Sequence, residues 1–297
     1  MVALLLVAIV TAVLNLDTSV FFLTPVLLHL ARSRGIDESP FLYGAVYMSN
    51  AASLVLPGSN LTNLIVLHGE HVSGTSFFAR MWPAAVASVL TTVAVLLVAF
   101  RGSFRAAPVP VGVAARARVG MGTPAVLIAA TLVLLLTSPA LPVLLVGVAA
   151  VLASRTTRAH VLAAVDIRLL GLLFALATAL GGLGRAWGGP DALFDSLGRW
   201  QTGAFAALAA VGVNNLPAAV LLTPDAPLHG RALLIGLNIG PNLAVTGSLS
   251  ALLWLRVARS LKAAPSIRTY SRIGAVLAPL TLASALAALW LVAPGRI

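Results

Sequence analysis

Cysteine is missing from all 297 residues, and lysine occurs once, as Lys262. Without thiols there are no disulfides, no thiolate metal sites and no cysteine nucleophiles. Charge is scarce as well. Charged residues make up 9% of the chain, where a soluble domain carries about 25%. The N-terminus has neither a basic leader nor a small-residue cleavage site opening into a soluble domain, so it does not read as a signal peptide. Apolar surface takes the place of charge. The chain is 60% hydrophobic, more than a soluble interior can hide, and the class that follows is an all-α polytopic membrane protein.

The formal net charge of +11 does not point to nucleic acid. The arginines sit in short loops between apolar runs, where cations fix membrane orientation. Arginine in place of lysine, with abundant alanine, suggests a GC-rich bacterial genome. The expected location is therefore a bacterial inner membrane, with lipid as a partner.

Continuous apolar segments cover 76–100, 123–138, 139–154, 167–184 and 273–292. A helix needs about 20 apolar residues to cross a bilayer. Segments 40–67 and 230–255 are long enough, but each is broken: the first at Pro57-Gly58-Ser59-Asn60, the second at Gly240-Pro241-Asn242. Residues 1–14, 18–31, 200–213 and 217–223 are each too short. Short arms meeting at a polar tip suggest re-entrant hairpins at 1–34 and 200–223, a backbone tolerated at membrane depth only inside protein or beside a water-filled cavity.

Arginine parity sets the span count. If 123–138 and 139–154 are two spans split at Ser138-Pro139, fourteen of the nineteen cations share one side. Only Arg80, Arg185, Arg199, Arg231 and Arg296 lie opposite, as the positive-inside rule requires. About seven full spans and two hairpins are expected. The organisation is a first unit at 1–100, a cytoplasmic linker at 101–122 and a second unit at 123–297. The same parity brings the hairpins in from opposite sides, as inverted repeats require.

A repeat is visible in the letters. NLDTSVFFLTP at 15–25 aligns without gaps with NNLPAAVLLTP at 214–224. Each copy precedes a broken helix, LVLPGSNLTNLIV at 54–66 and LNIGPNLAVTGSL at 237–249. Interrupted helices at matching places in two halves point to a midplane binding site. Half-helix ends there offer unpaired N–H and C=O groups. Asn15, Thr18, Ser59, Asn60, Thr62, Asn214, Asn215, Asn242, Thr246 and Ser248 are the expected lining; the same side chains also suit helix caps.

Asp17 is the sharpest feature. Ionised in hydrocarbon it costs several kcal/mol, so it must face a cavity, pair or take a proton. It reads as the proton or cation coupling group, with an N-cap of the second arm as the plainer alternative. Leu216 stands opposite it in the second copy. Other features are weaker. His68-Gly69-Glu70-His71 lacks the i, i+4 spacing of a zinc helix. Asn60-Leu61-Thr62 is a sequon buried in a broken helix, and GGLG at 181–184 follows no strand. Asp166, Asp191 and Asp195 read as caps, Asp37 and Glu38 as loop residues, and His29 as a proton shuttle near the cytoplasmic end. No nucleophile–base set or nucleotide motif occurs, so an enzyme, a metal centre or a cofactor is not expected.

NLDTSVFFLTP, FLYGAVYMSNAASLVLPGSNLTNLIV, NNLPAAVLL and LNIGPNLAVTGSLSALLWL resemble the membrane subunit of arsenite efflux pumps (ArsB-type), within the ion transporter superfamily. The resemblance implies inverted repeats moving against a scaffold in an elevator-like cycle. Its hairpin tips fall at Asn15 to Thr18 and Asn214 to Pro217, and its unwound loops at Pro57 to Thr62 and Gly240 to Asn242. It also implies scaffold helices ahead of the first hairpin, where this chain opens on the hairpin itself, so a late start or a truncation is expected. Relatives often carry Asn-Asn-Asp at the first tip, where this chain has Asn15-Leu16-Asp17.

The function expected from this is efflux of arsenite or antimonite against inward protons. The trihydroxy metalloid is uncharged at neutral pH, and an amide and hydroxyl pocket suits it. A citrate or dicarboxylate carrier is the first alternative, although no Arg or Lys lies near either motif and Asp17 repels an anion. Sodium/proton antiport and a non-transporting fragment are the others. A homodimer and a soluble ATPase subunit on the basic loops are the protein partners considered.

Overall fold

The fold is described from a computed structural model. It covers residues 1–103 apart from 69 and 71, then 140–153, 167–187, 194, 196–223 and 228–292, with single residues between 125 and 136. Most of linker 101–122 and of segment 123–138 lies outside the described residues, as do Asp166, Asp191 and Asp195. Among the described residues every regular element is helical.

Helix α1 (Val2–Leu14) is an uncharged apolar run that ends at Asn15. Helix α2 (Leu16–Ser33) begins one residue later, with Pro25 in its interior. Helix α3 (Ser39–Ala52) carries Pro40 in its first turn, where a missing N–H costs nothing. A short 3₁₀ turn, Pro57–Ser59, interrupts the path before α4 (Leu61–Val66). Helix α5 (Gly74–Ala99) follows, its first turn capped by the Ser73 hydroxyl.

The second series is α6 (Ala140–Ala153), α7 (Ile167–Trp187), α8 (Arg199–Val213), α9 (Asn215–Leu222) and α10 (Gly230–Ile239). Two 3₁₀ turns, Gly240–Asn242 and Val245–Gly247, form the second break. Helices α11 (Leu249–Ser260) and α12 (Ile267–Val292) close the chain. Both begin or end beyond the apolar stretch in the sequence: α11 continues through Arg256 and Arg259, and α12 starts early enough to include Arg268 and Arg272.

Helices α5 and α12 have 26 residues each and are long and apolar enough to cross a membrane. At 1.5 Å per residue each reaches about 39 Å, against a hydrocarbon core of about 30 Å. They pack on each other.

The remaining contacts pair up. Helix α1 packs on α3 and on the first break; α8 packs on α10 and on the second. Helix α2 reaches across to α11, and α9 reaches across to α4. Helix α3 packs on α5, and α10 on α12. Exchanging the two sets of names leaves this pattern unchanged.

Two cores result. One joins α1–α3 to α11 and α12 and holds an aromatic group of Tyr43, Tyr47, Trp254 and Tyr270. Their polar ends are satisfied: Trp254 Nε1 donates to the Leu42 carbonyl at 2.8 Å, and the Tyr270 hydroxyl donates to the Pro241 carbonyl at 2.9 Å. The second bond fixes the break between α10 and α11. The other core gathers α8–α10 with α4, α5 and α12.

Candidate functional site

Both helix pairs turn on an asparagine with positive φ: Asn15 at φ 116° and ψ 152°, Asn214 at φ 77° and ψ 147°. Such backbone is strained for a residue with a Cβ, by about 1–3 kcal/mol. The side chains offset part of that. Asn15 Oδ1 accepts the Asp17 N–H at 2.8 Å, and Asn214 Oδ1 accepts the Leu216 N–H at 3.3 Å. Each asparagine thus caps the arm that follows, a contribution of about 1 kcal/mol. This corrects the alternative reading of Asp17 as an N-cap: Asn15 takes that role, and the Asp17 carboxyl is left for other contacts.

Each break is bonded to a helix of the other half. Asn60 Nδ2, in the first break, donates to Asn238 Oδ1 at 2.7 Å, while Asn60 Oδ1 caps α4 at the Thr62 N–H. Asn238 Oδ1 also receives the Ser53 hydroxyl, and Asn238 Nδ2 donates to Asn63 Oδ1 and the Leu234 carbonyl, each at 2.8 Å. Asn63 Nδ2 turns back to the Ser53 carbonyl at 2.7 Å, across the break in its own half. A second bridge runs from Asn50 Nδ2 to Asn242 Oδ1 at 2.8 Å. All of these amides are buried.

Four of the amides expected at the site therefore act as caps or bridges: Asn15, Asn60, Asn214 and Asn242. Ser248 caps α11 through the Ala251 N–H, and Ser59 donates to the Ala12 carbonyl, joining the first break to α1. Asn214 Nδ2 donates to the Thr246 carbonyl at 3.1 Å, so the second tip is tied to the second break; the Thr246 side chain itself is exposed. Asn215 is buried at the start of α9. Thr18 is half-buried beside Asp17, and His29 lies exposed on α2.

Three buried polar atoms at the breaks have no protein partner: Asn50 Oδ1, Asn242 Nδ2 and Thr62 Oγ1. Leaving such a group unsatisfied costs about 1–3 kcal/mol. The first two belong to one bonded pair, so a donor and an acceptor stand together with spare capacity. Asp17 completes the picture. Its carboxyl interacts with the Ser250 hydroxyl on α11, so the acidic group of the first half meets the second half directly. Every hydrogen-bonding group named at the breaks is an amide, a hydroxyl or main chain.

The letters had not pointed to Asn50, Ser53, Asn63, Asn238 or Ser250. The signal was present: amides inside otherwise apolar helices are expensive in a membrane unless they bond across helices. Asn238 stands four residues before Asn242, one helical turn away.

The whole arrangement through Thr246 lies inside one family match. Residues 1–246 fit the model of the CitMHS family, described as citrate transporters. The match covers both turns, the first break and the second break as far as Thr246, and its family is the citrate transporters rather than the arsenite pumps that the motifs resemble. The chain belongs to the citrate transporter family, and with it to the secondary transporters of the ion transporter superfamily.

Proposed function

We propose that the chain carries citrate or a similar polycarboxylate across a bacterial inner membrane, driven by a cation or proton taken at Asp17. The observation that carries this reading is the family match over residues 1–246, which takes in both asparagine turns, the first break and the second break as far as Thr246. A site with one carboxyl group and neutral amides takes a multiply charged anion only when its charge is compensated. A co-bound cation or proton supplies that compensation, and Asp17 is the group read here as holding it.

The two units, 1–100 and 123–297 around linker 101–122, are read as inverted repeats with re-entrant hairpins α1–α2 and α8–α9. The interchangeable contact pattern of the two series supports this. Asn15, Thr18, Ser59, Asn60, Thr62, Asn214, Asn215, Asn242, Thr246 and Ser248 remain the proposed substrate lining, to which Asn50 and Asn238 are added. About seven spans and an elevator-like movement belong to the same reading.

Arsenite or antimonite efflux is the second reading. The neutral amide and hydroxyl lining favours it, because an uncharged trihydroxy solute needs hydrogen bonds and no counter-charge. Purified protein in proteoliposomes separates the two. Labelled citrate accumulating under an imposed proton or cation gradient supports the first. Arsenite flux with no citrate flux overturns it in favour of the second.

A further inference from the structure

The two longest helices do not close along their whole length. The Thr91 and Ser284 hydroxyls share a hydrogen bond at 2.8 Å, and past them rising numbers on α5 face falling numbers on α12, so the pair is antiparallel. One turn beyond that bond the helices part around a groove of about 450 Å³. Val95 and Val98 line it from α5, and Ile273, Val276 and Leu280 from α12. Alanines at 94 and 99 leave the room. Arg272 is the one polar residue of the lining, at the end that arginine parity assigns to the cytoplasm. From Leu280 to Arg272 the groove runs about 12 Å along α12, close to one leaflet's share of the hydrocarbon, about 15 Å.

We propose that this groove holds an acyl chain of an anionic phospholipid from the cytoplasmic leaflet, with the lipid phosphate on Arg272. Val98, Val276 and Leu280 are exposed on helices that can span, so what covers them is hydrocarbon. Charge selects the lipid. Arg268 lies one turn before Arg272, and Arg101 lies two residues past the end of α5. All three guanidinium groups are exposed, and among the described residues none has an ion pair or a side-chain hydrogen bond. Asp37, which Ser103 brings to this end of α5, already accepts from Ser103 and from the Ser39 N–H. A zwitterionic headgroup leaves three cations uncompensated. An anionic phosphate compensates them, and its oxygens match the guanidinium fork. Cytoplasmic leaflets attract basic membrane-edge residues in this way.

The inference does not depend on which solute is carried. The full chain in detergent is titrated with phosphatidylglycerol or phosphatidylcholine, with bound lipid counted by native mass spectrometry and the melting temperature followed. Phosphatidylglycerol is expected to bind more tightly and to raise the melting temperature further. Arg272→Gln should lose roughly fivefold in phosphatidylglycerol affinity, and Arg272→Lys should keep part of it. Val276→Trp fills the groove and should remove the bound lipid, with the lipid-free melting temperature within a few degrees of wild type. Leu291→Trp, at the far end of α12, should change nothing. Glycerol 3-phosphate, a headgroup without chains, should give no shift. Equal affinity for the two lipids, or phosphatidylglycerol binding unchanged by Arg272→Gln, overturns the site. So does a shift with glycerol 3-phosphate as large as with the lipid. A dimer that Val276→Trp splits, with lipid preference intact, gives the groove to a second copy of the chain instead. If Val276→Trp does not fold, Arg272→Gln decides alone.

Discussion

The two helix pairs turn on the same device and are held to the rest of the protein by different ones. The α1–α2 pair is fastened by hydroxyls. Thr11, Ser19 and Ser49, all buried, bond across α1, α2 and α3, and Ser59 reaches the Ala12 carbonyl. The α8–α9 pair is fastened by close backbone approach. A Cβ on Gly236 would lie 2.2 Å from the Gly203 carbonyl oxygen, and one on Gly240 would lie 2.4 Å from that of Ala207. Gly236 and Gly240 form a small-residue pair one turn apart against the small face of α8, a seam suited to lipid, where apolar helices gain little from burial alone. The contrast extends to chemistry. The first turn carries Asp17 where the second carries Leu216. Similar geometry thus serves two purposes, with the titratable group in one half and the tightest packing in the other.

The largest effect that could break this comparison comes from the glycines. Gly236→Val and Gly240→Val put atoms into fixed main chain, so no folded protein is expected by size-exclusion chromatography. Gly44→Ala is the control: the neighbour there is the Leu4 side-chain tip, which can move, and folding should survive. Folded Gly240→Val of native melting temperature would refute the seam.

Asp17→Asn comes next. Gradient-driven flux should drop at least tenfold in proteoliposomes while the melting temperature stays within a few degrees, because Asn keeps the size and polarity of the side chain. Equal flux would remove Asp17 as the coupling group and with it the chemical asymmetry of the halves.

Asn238→Leu should destabilise by about 3 kcal/mol, since Asn60, Asn63 and Ser53 all lose a buried partner at once. Denaturant or thermal unfolding in detergent measures it. Asn15→Gly and Asn214→Gly should each change stability by less than about 1 kcal/mol, as lost capping is offset by relief of the positive φ. A large loss at only one turn would show that the shared device is not shared.

The smallest effect lies outside the breaks. Burial pushes the Asp37 carboxyl up, but hydrogen bonds from Ser103 and Ser39 outweigh this and hold it below the usual carboxylate range. A lowered folded value means that the unfolded chain binds the proton more readily. The stabilisation is present above the ordinary carboxylate pKa and fades as pH falls through the lowered one. Asp37→Asn should flatten this acid limb of the stability profile and leave flux at neutral pH unchanged.

Helix existence was legible because Pro57 and Pro241 interrupt apolar runs that would otherwise be continuous. The turns were legible because the two asparagine motifs align. Which amides meet was not. Asn50, Asn63 and Asn238 sit inside helical stretches, and only the crossing of α3, α4 and α10 brings them together. The alternative reading of Asp17 as a cap fails on the positive φ at Asn15, which moves the cap back by two residues and leaves no mark in the letters. The glycine seam was invisible for the same reason, since close approach belongs to a pair of helices and not to either sequence alone.

The central claim is that two unlike halves form one joint site across their breaks. The absence of native cysteine makes it directly testable. Asn50→Cys and Asn242→Cys are introduced together, with a protease site between residues 101 and 122. Oxidation in the membrane should link the two fragments on a non-reducing gel and stop citrate flux, and reductant should restore it. Fragments that never link, or that link while flux continues unchanged, would contradict the account.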